Sequence, residues 1–135
     1  VNRDSIKATL AYIDIDNFKS INDKYGHEGG DVVLKYFAEI LLDNTRKGLD
    51  YVFRLGGEEF CVISIDNTLQ YANEHMNRIM SITSEKFSTT RFGEVTLSIG
   101  IVEFDKKFNS YDEVLNLADK KMYEAKKSGK NTIVK

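Results

Sequence analysis

Arg54-Leu55-Gly56-Gly57-Glu58-Glu59-Phe60 joins a short run of strand-forming residues, 51–55, to a longer one, 60–65. Paired glycines between two such runs predict a β-hairpin, because its tight turn needs the positive φ angles that glycine adopts freely. The turn also carries two adjacent carboxylates, Glu58 and Glu59, which repel each other unless a divalent cation lies beside them. Alone, this pattern favours a solvent-exposed hairpin tip over a binding site, and the rest of the chain has to decide between them.

The composition is that of one globular domain of 135 residues, of which 41% are hydrophobic and 30% are charged. No apolar run approaches the roughly 20 residues of a membrane-spanning helix, and a net charge of −2 creates no field that attracts nucleic acid. We therefore expect neither membrane contact nor nucleic-acid binding by this domain. Cys61, the single cysteine, predicts a buried side chain in a reducing, cytoplasmic compartment.

An apolar run at residues 8–14 has the pattern of a strand buried on both faces, and it ends in Asp14-Ile15-Asp16. Carboxylates therefore lie at a strand end, which is where ligands collect in open α/β sheets. Asp16 is expected to cap a short helix that begins after it. Asp14 has no comparable structural role.

Hydrophobic periodicity predicts the remaining elements. They are helices at 17–25 and 31–45 around a glycine-rich turn at 25–31, helices at 68–86 and from Ser110 onward, and strands at 92–104 and 132–134. The order β-α-α-β-β-α-β-α-β predicts an α/β sandwich of the palm or nucleotidyl-cyclase-like (ferredoxin-like) kind. Its centre is expected to be a mixed five-stranded sheet that contains the β-hairpin and is flanked by helices.

Asp14 ends one expected strand, and Glu58 lies in the turn of a hairpin expected beside it. Two carboxylates that converge from neighbouring strands are the usual protein part of a magnesium site that also holds nucleotide phosphates. The short helix that starts near Asn17 adds free backbone amides for the same phosphates. These residues predict phosphoryl or nucleotidyl transfer.

A series of motifs spans nearly the whole chain: Asp14-Ile-Asp-Asn-Phe-Lys-Ser-Ile-Asn-Asp, Tyr25-Gly-His, Gly30-Asp31, Arg54-Leu-Gly-Gly-Glu-Glu-Phe, Ser98-Ile-Gly-Ile, Ala118-Asp, Tyr123-Glu-Ala-Lys and Ser128-Gly-Lys-Asn131. Their order and spacing resemble those of the GGDEF diguanylate cyclase domain, here with a GGEEF signature. The resemblance implies condensation of two GTP molecules into cyclic di-GMP with release of pyrophosphate. It also implies a homodimer in which each subunit holds one GTP, and each 3′-hydroxyl attacks the α-phosphate of the other nucleotide.

The resemblance further implies a metal site formed by Asp14, the backbone carbonyl of Ile15, and Glu58. The implied cofactor is Mg²⁺, with Mn²⁺ as the alternative ion. Such an ion neutralises charge that develops on the phosphates. Glu58 and Glu59 are the implied catalytic residues, and Glu59 is expected to help deprotonate the 3′-hydroxyl.

The residues that the resemblance implies for GTP binding are Phe18, Lys19, Asn22, Asp31, Gly56, Gly57, Lys126 and Lys130. Asn22 and Asp31 match guanine-reading positions, and a carboxylate can accept hydrogen bonds from both N1 and the exocyclic amine of guanine. Phe18 and Lys19 would supply backbone amides to the β- and γ-phosphates, the glycines would leave room for the nucleotide, and Lys126 would bind phosphate. Lys130 stands where the family usually has arginine, which keeps the charge but loses the bidentate fork.

Two features depart from the family pattern. At the position of the family's product-inhibition site, Arg-x-x-Asp, this chain has Lys47-Gly-Leu-Asp50, with Arg46 beside it. This sequence predicts a degenerate inhibitory site that does not bind the product tightly enough for strong feedback inhibition. The longer helix that normally precedes the first strand has only Asn2-Arg3 as a remnant. Because the chain also opens at Val1 rather than methionine, we expect the C-terminal part of a longer signalling protein, with an N-terminal sensor domain outside this sequence.

Two other functions compete with cyclic di-GMP synthesis. One is a non-catalytic regulatory domain that binds GTP or cyclic di-GMP, although such domains usually carry degenerate signatures and Gly56 to Phe60 is intact. The other is a mononucleotide cyclase with a similar palm, which would release a 3′,5′-cyclic monophosphate.

Overall fold

Five strands and three helices make up the computed structural model, which describes residues 7–105 and 110–135. In chain order they are β1 (Lys7–Ile15), α1 (Phe18–Asp43), β2 (Asp50–Gly56), β3 (Glu59–Ile65), α2 (Leu69–Ser88), β4 (Leu97–Asp105), α3 (Tyr111–Lys127) and β5 (Thr132–Val134). The order of strands across the sheet is β2-β3-β1-β4-β5. All neighbouring pairs are antiparallel except β4 and β5, which are parallel. The predicted mixed five-stranded sheet with a hairpin is therefore confirmed.

The central strand β1 is buried along both faces, as its apolar run predicts. Ile13 and Ile15 pack in the larger core cluster with residues of α1 and α2. Leu10 and Tyr12 point to the other face and pack in a second cluster with α3 and Cys61, whose predicted burial is confirmed. The domain is thus a sandwich with the sheet in the middle.

Helix α1 is interrupted at Gly26, whose φ of 77° and ψ of 173° lie outside the helical region. The predicted break between two helices is confirmed, but it occupies a single residue instead of the whole stretch 25–31. Gly30 lies within the helix, and a Cβ there would clash with the side chain of Asn22. Gly30 therefore allows the two segments of α1 to pack closely, and it does not form a turn.

Most of the other predicted boundaries are close to the observed ones. Thr68 and Ser110 cap α2 and α3, each accepting a backbone hydrogen bond with its side chain. The strand predicted at 92–104 starts only at Leu97, because the preceding residues form a turn and an irregular segment. A Cβ on Gly100 would clash with the backbone of α3, so this glycine lets the helix approach β4 closely.

Within the described residues no helix has the length and apolar character needed to cross a membrane. The predicted helix remnant Asn2-Arg3 lies outside the described residues.

Candidate active site

The acidic end of β1 lies beside the hairpin turn. Asp14 is directly opposite Glu59 of β3 and Ser98 of β4, so these side chains lie on the same face of the sheet, the one that α3 covers. Glu58 lies in the adjoining turn, and its backbone carbonyl accepts a hydrogen bond from Ile15 N at 3.3 Å. Strand pairing thus brings together Asp14, Ile15, Glu58 and Glu59, the residues expected to bind metal and to assist catalysis.

Asp14 is only 5% exposed, and its charge is incompletely compensated. Lys126 Nζ lies 3.0 Å from Asp14 Oδ1, yet this buried oxygen accepts no hydrogen bond of ordinary geometry from the described residues. Burial is the main reason that the pKa of Asp14 is raised to about 6; Lys126 lowers this pKa, whereas the negative charges of Glu58 and Glu59 raise it. A cation bound here would stabilise the carboxylate.

Asp16 has a quite different environment, and the prediction that it caps the first helix is wrong. Its carboxylate accepts hydrogen bonds from Thr96 Oγ1 at 2.7 Å, Ser98 Oγ at 2.6 Å and Asn131 N at 2.9 Å. The cap position is Asn17, which makes no side-chain capping bond. Asp16 therefore ties the loop after β1 to β4 and to the C-terminal segment, through partners at least 80 residues away that no local pattern could indicate.

The start of α1 lies beside the C-terminal loop. Lys130 Nζ donates a hydrogen bond to Asn17 Oδ1 at 2.7 Å, which holds Lys130 at the beginning of the helix. Phe18 and Lys19 belong to the first helical turn, where backbone amides have no carbonyl partner within the helix. Lys126 approaches the same region from α3. Two amino groups and the amide end of a helix therefore lie near the acids, and such an arrangement suits a phosphate group.

A cavity of about 330 Å³ opens between α1 and the hairpin. Its lining residues are Asp31, Leu34, Lys35, Ala38, Arg54 and Phe60. Asp31 is exposed, and the neighbouring Gly30 packs against Asn22, so the two residues expected to read guanine lie near each other on successive segments of α1.

The hairpin turn has the glycine conformations that its sequence predicts. Gly56 has a φ of 147° and Gly57 a φ of 46°, and both are exposed. Arg54 Nε donates to the carbonyl of Gly57 at 3.0 Å, which stabilises the turn. The absence of side chains at both glycines leaves the turn backbone open to a ligand.

Two residues near Glu59, Tyr12 and Asp119, were not predicted from the sequence to belong to the site. Tyr12, two residues before Asp14 on β1, lies on the same face of the sheet as Glu59, and Asp119 of α3 is close enough to act electrostatically on both. Burial is the main reason that the pKa of Glu59 is raised; the neighbouring Tyr12 and Lys126 lower this pKa, whereas the charges of Asp119 and Glu58 raise it. Tyr12 was hidden within an apolar strand pattern. The alternation of strand side chains, which places residues 12 and 14 on one face, could have revealed it.

The three residues of the expected inhibitory site lie at the opposite end of the sheet: Arg46, Lys47 and Asp50. Asp50 is paired with Ser64, five positions along β3 from Glu59, which corresponds to about 17 Å of strand. Arg46 donates to the Asp50 carboxylate through its backbone N at 2.7 Å and Nη2 at 2.9 Å. Lys47 is exposed. The structure thus separates this group from the acids at the end of β1.

A metal ion would find few protein ligands in the described part of the chain. No group of three or more His, Cys, Asp or Glu side chains there is close enough to hold one. Asp14 and Glu58 supply two carboxylates, and Mg²⁺ or Mn²⁺ is commonly bound by one or two carboxylates together with waters and substrate phosphates. The buried Asp14 Oδ1, which lacks a well-formed hydrogen bond, fits such an ion.

The sheet topology and the acids at the end of its central strand define a palm-like domain of the nucleotidyl-cyclase-like class. The family model described as "Diguanylate cyclase, GGDEF domain" matches residues 1–132, and the chain belongs to this family.

Two relatives illustrate how much of a whole protein the chain represents. Diguanylate cyclase DgcS of Shewanella oneidensis is 40% identical over 123 residues, which are 91% of this chain and 40% of the relative. Response regulator PleD of Caulobacter vibrioides is 41% identical over 135 residues, 97% of this chain and 29% of the relative. The chain therefore spans less than half the length of either protein.

Solved structures share the fold. The GGDEF domain of DgcB from Caulobacter crescentus, in complex with c-di-GMP, matches with a TM-score of 0.86 and 30% identity, over 96% of this chain and 77% of that one. The active GGEEF domain of a diguanylate cyclase from Vibrio cholerae matches with a TM-score of 0.85 and 26% identity, over 95% of this chain and 81% of that one. The predicted fold class is confirmed.

Proposed function

We propose that this domain condenses two GTP molecules into cyclic di-GMP and pyrophosphate, as a homodimer that requires Mg²⁺ or Mn²⁺. The observation that carries the proposal is the convergence of Asp14, Glu58 and Glu59 at one end of the sheet, beside Lys126 and the start of α1. Membership of the family supports it, because its diguanylate cyclases depend on a metal.

GTP would lie across the acidic end of β1, with its base in the cavity between α1 and the hairpin. Asp31 is suited to guanine because its carboxylate can accept two hydrogen bonds from the N1 and amine side of the base. The amides of Phe18 and Lys19 and the amino groups of Lys126 and Lys130 would hold the triphosphate. Binding both ends of the nucleotide fixes the α-phosphate between them.

Asp14, Glu58 and the carbonyl of Ile15 would hold the metal ion, which when bound supplies positive charge to the phosphates and the leaving pyrophosphate. Lys126 adds a second positive charge, because its amino group already lies 3.0 Å from Asp14. Since burial disfavours an isolated charge on Asp14, the acid gains more from these cations than an exposed carboxylate would.

Glu59 would accept the proton of the attacking 3′-hydroxyl, directly or through a water. The attacked α-phosphate belongs to the nucleotide of the other subunit, so each chain provides half of the reaction centre. The rate should therefore depend on the concentration of dimer.

The test is to incubate the purified domain with GTP and Mg²⁺ and to separate the products by chromatography. We expect cyclic di-GMP, formed at a specific rate that rises with enzyme concentration. Glu58→Gln should lower this rate at least about a hundredfold, since tenfold corresponds to 1.4 kcal/mol and a metal ligand contributes several. Glu39→Gln, on the exposed face of α1, is the matched control.

Two results would contradict the proposal. Bound but unreacted GTP at protein concentrations that give a dimer would indicate a non-catalytic binding domain. A 3′,5′-cyclic monophosphate as the product would indicate a mononucleotide cyclase.

A further inference from the structure

The cavity between α1 and the hairpin contains two opposite charges that the described part of the chain does not pair. Asp31 and Lys35 both line it, and they lie one helical turn apart on α1, so their side chains share a face of the helix. An aspartate placed in this way before a lysine is suited to an ion pair. Here neither side chain makes a hydrogen bond or an ion pair with any residue that the structure describes. Both charges are therefore available to a ligand in the cavity.

The walls of this cavity suit a flat heterocyclic ring. Leu34 and Ala38 line it from α1, and the buried Phe60 lines it from β3. Its volume of about 330 Å³ lies within the range of about 300–1000 Å³ that is typical of small-molecule sites. Such sites combine mainly apolar walls with a few polar groups that fix the orientation of the ligand. The cavity therefore suits the base of a nucleotide.

Arg54 supplies a second cation from the hairpin side, but this side chain already has a partner. Its Nε donates to the carbonyl of Gly57 at 3.0 Å, which holds the guanidinium against the turn. Lys35 has no such contact, and its flexible stem lets the amino group reach different points along the edge of the cavity. Lys35 is therefore the cation that is free to bind a base.

Guanine presents two different edges to such a pair of charges. Its N1 and exocyclic amine are donors, which a carboxylate accepts, whereas O6 and N7 are acceptors, which an ammonium group reaches. Adenine carries an amine donor in place of O6, so the same ammonium group would face a donor there. Side chains one helical turn apart start roughly 5–6 Å from each other, a spacing that suits two adjoining edges of one base.

We propose that Lys35 is a specificity-determining residue: its amino group donates to O6 and N7 of guanine, while Asp31 accepts from N1 and the exocyclic amine. This inference rests on the proposed function, which places the base in this cavity. Because Lys35 is exposed, water competes for the bond. We therefore expect a contribution of about tenfold to affinity, well below the factors that fully buried polar groups give.

The test is equilibrium titration of the domain, with Mg²⁺ present, with nucleoside diphosphates, which cannot release pyrophosphate and so are not condensed. Lys35→Met keeps the length of the side chain, deletes its charge and should weaken GDP binding about tenfold. The unsubstituted domain should prefer GDP over 7-deaza-GDP, which lacks only the N7 acceptor, about fivefold, whereas the preference of Lys35→Met should be below about twofold. Lys86→Met is the matched control, since Lys86 is exposed on α2 and does not line the cavity.

IDP tests the other edge of the base, because it lacks only the exocyclic amine. The preference for GDP over IDP should be the same in the unsubstituted domain and in Lys35→Met, and it should fall in Asp31→Asn. This pattern assigns each edge of guanine to one side chain, which a general loss of positive charge would not do.

An unchanged affinity for GDP in Lys35→Met would overturn the inference. An equal loss of affinity for GDP and 7-deaza-GDP would overturn it too, because the lysine would then attract the phosphates and not read the base. Either result leaves the proposed function standing when the unsubstituted domain makes cyclic di-GMP. That function fails separately, if GDP binds with the expected preferences but GTP is not condensed.

Discussion

Two buried aspartates, each beside a basic side chain, lie at opposite ends of the sheet and behave in opposite ways. Asp50 accepts hydrogen bonds from Arg46 at 2.7 and 2.9 Å. Burial raises the pKa of Asp50, but Arg46 and the neighbouring Ser64 outweigh it, so the pKa is lowered overall. Asp14 has Lys126 at 3.0 Å but no well-formed hydrogen bond to its buried Oδ1, and its pKa is raised to about 6.

The difference separates an acid whose charge is satisfied within the fold from one whose charge is only partly compensated, as the proposed metal ligand should be. The pair of Asp50 and Arg46 is complete within the chain, so ionised Asp50 favours the folded state. Asp14 is buried beside two further acids, and Lys126 offsets only part of the cost of its charge, so an added cation would stabilise the carboxylate further. Burial and a basic neighbour alone do not distinguish the two cases; the number of hydrogen bonds does.

Asp14→Asn should have the largest effect on activity. We expect cyclic di-GMP synthesis to fall at least about a thousandfold, since loss of a metal ligand removes several kcal/mol of transition-state stabilisation. The melting temperature at pH 7 should not fall, because the substitution removes a buried charge. Product analysis and thermal unfolding measure the two effects, with the exposed Asp23→Asn as control. Activity within tenfold of the unsubstituted domain would refute the assignment of Asp14 to the metal.

Asp50→Asn should have the largest effect on stability. The Asp50 side chain is fully buried, whereas Arg46 is 34% exposed and can be solvated, so loss of the ion pair should cost about 2 kcal/mol of unfolding free energy. Urea unfolding measures this, and Asp23→Asn again serves as the control. A loss below about 0.5 kcal/mol would show that the pair does not stabilise the domain, and the contrast between the two aspartates would be lost.

The two acids should also give opposite pH signatures. Asp14 binds a proton more tightly in the folded state, with a pKa of about 6 against 3.8, so its contribution to stability falls as pH rises from about 4 to 6. Asp50 binds its proton less tightly when folded, so its contribution is present above pH 3.8 and is lost as pH falls below it. Unfolding free energies of each Asp→Asn variant, subtracted from those of the unsubstituted domain over pH 3 to 8, would show both slopes. Parallel slopes would contradict this account.

Metal ions should give the smallest effect. Mg²⁺ without nucleotide should raise the melting temperature of the unsubstituted domain by a few degrees, since a ligand at ten times its Kd adds about 1.4 kcal/mol. The same addition should leave Asp14→Asn unchanged. Equal shifts in both proteins would mean that the ion binds elsewhere.

Much of the domain follows from local patterns. The apolar run before Asp14, the glycine pair at 56 and 57, and the caps at Thr68 and Ser110 each produce the element that they predict, because strand burial, turn conformation and capping depend on residues close in sequence. The role of Asp16 does not follow from a local pattern. Its position before a helix predicts an N-cap, whereas the donors to its carboxylate come from β4, from the residue just before β4 and from the C-terminal loop.

The sequence by itself predicted which side chains would carry the chemistry, and it placed Asp14 at a strand end and Glu58 in a hairpin turn. Only the tertiary structure decided how each acid is surrounded: Asp16 with three donors, Glu59 with Tyr12, Asp14 with a lysine and no well-formed hydrogen bond to Oδ1. The physical reason is that the energy of a buried charge depends on donors and charges within a few ångströms. In this sheet those groups are supplied by strands and helices that lie far apart along the chain.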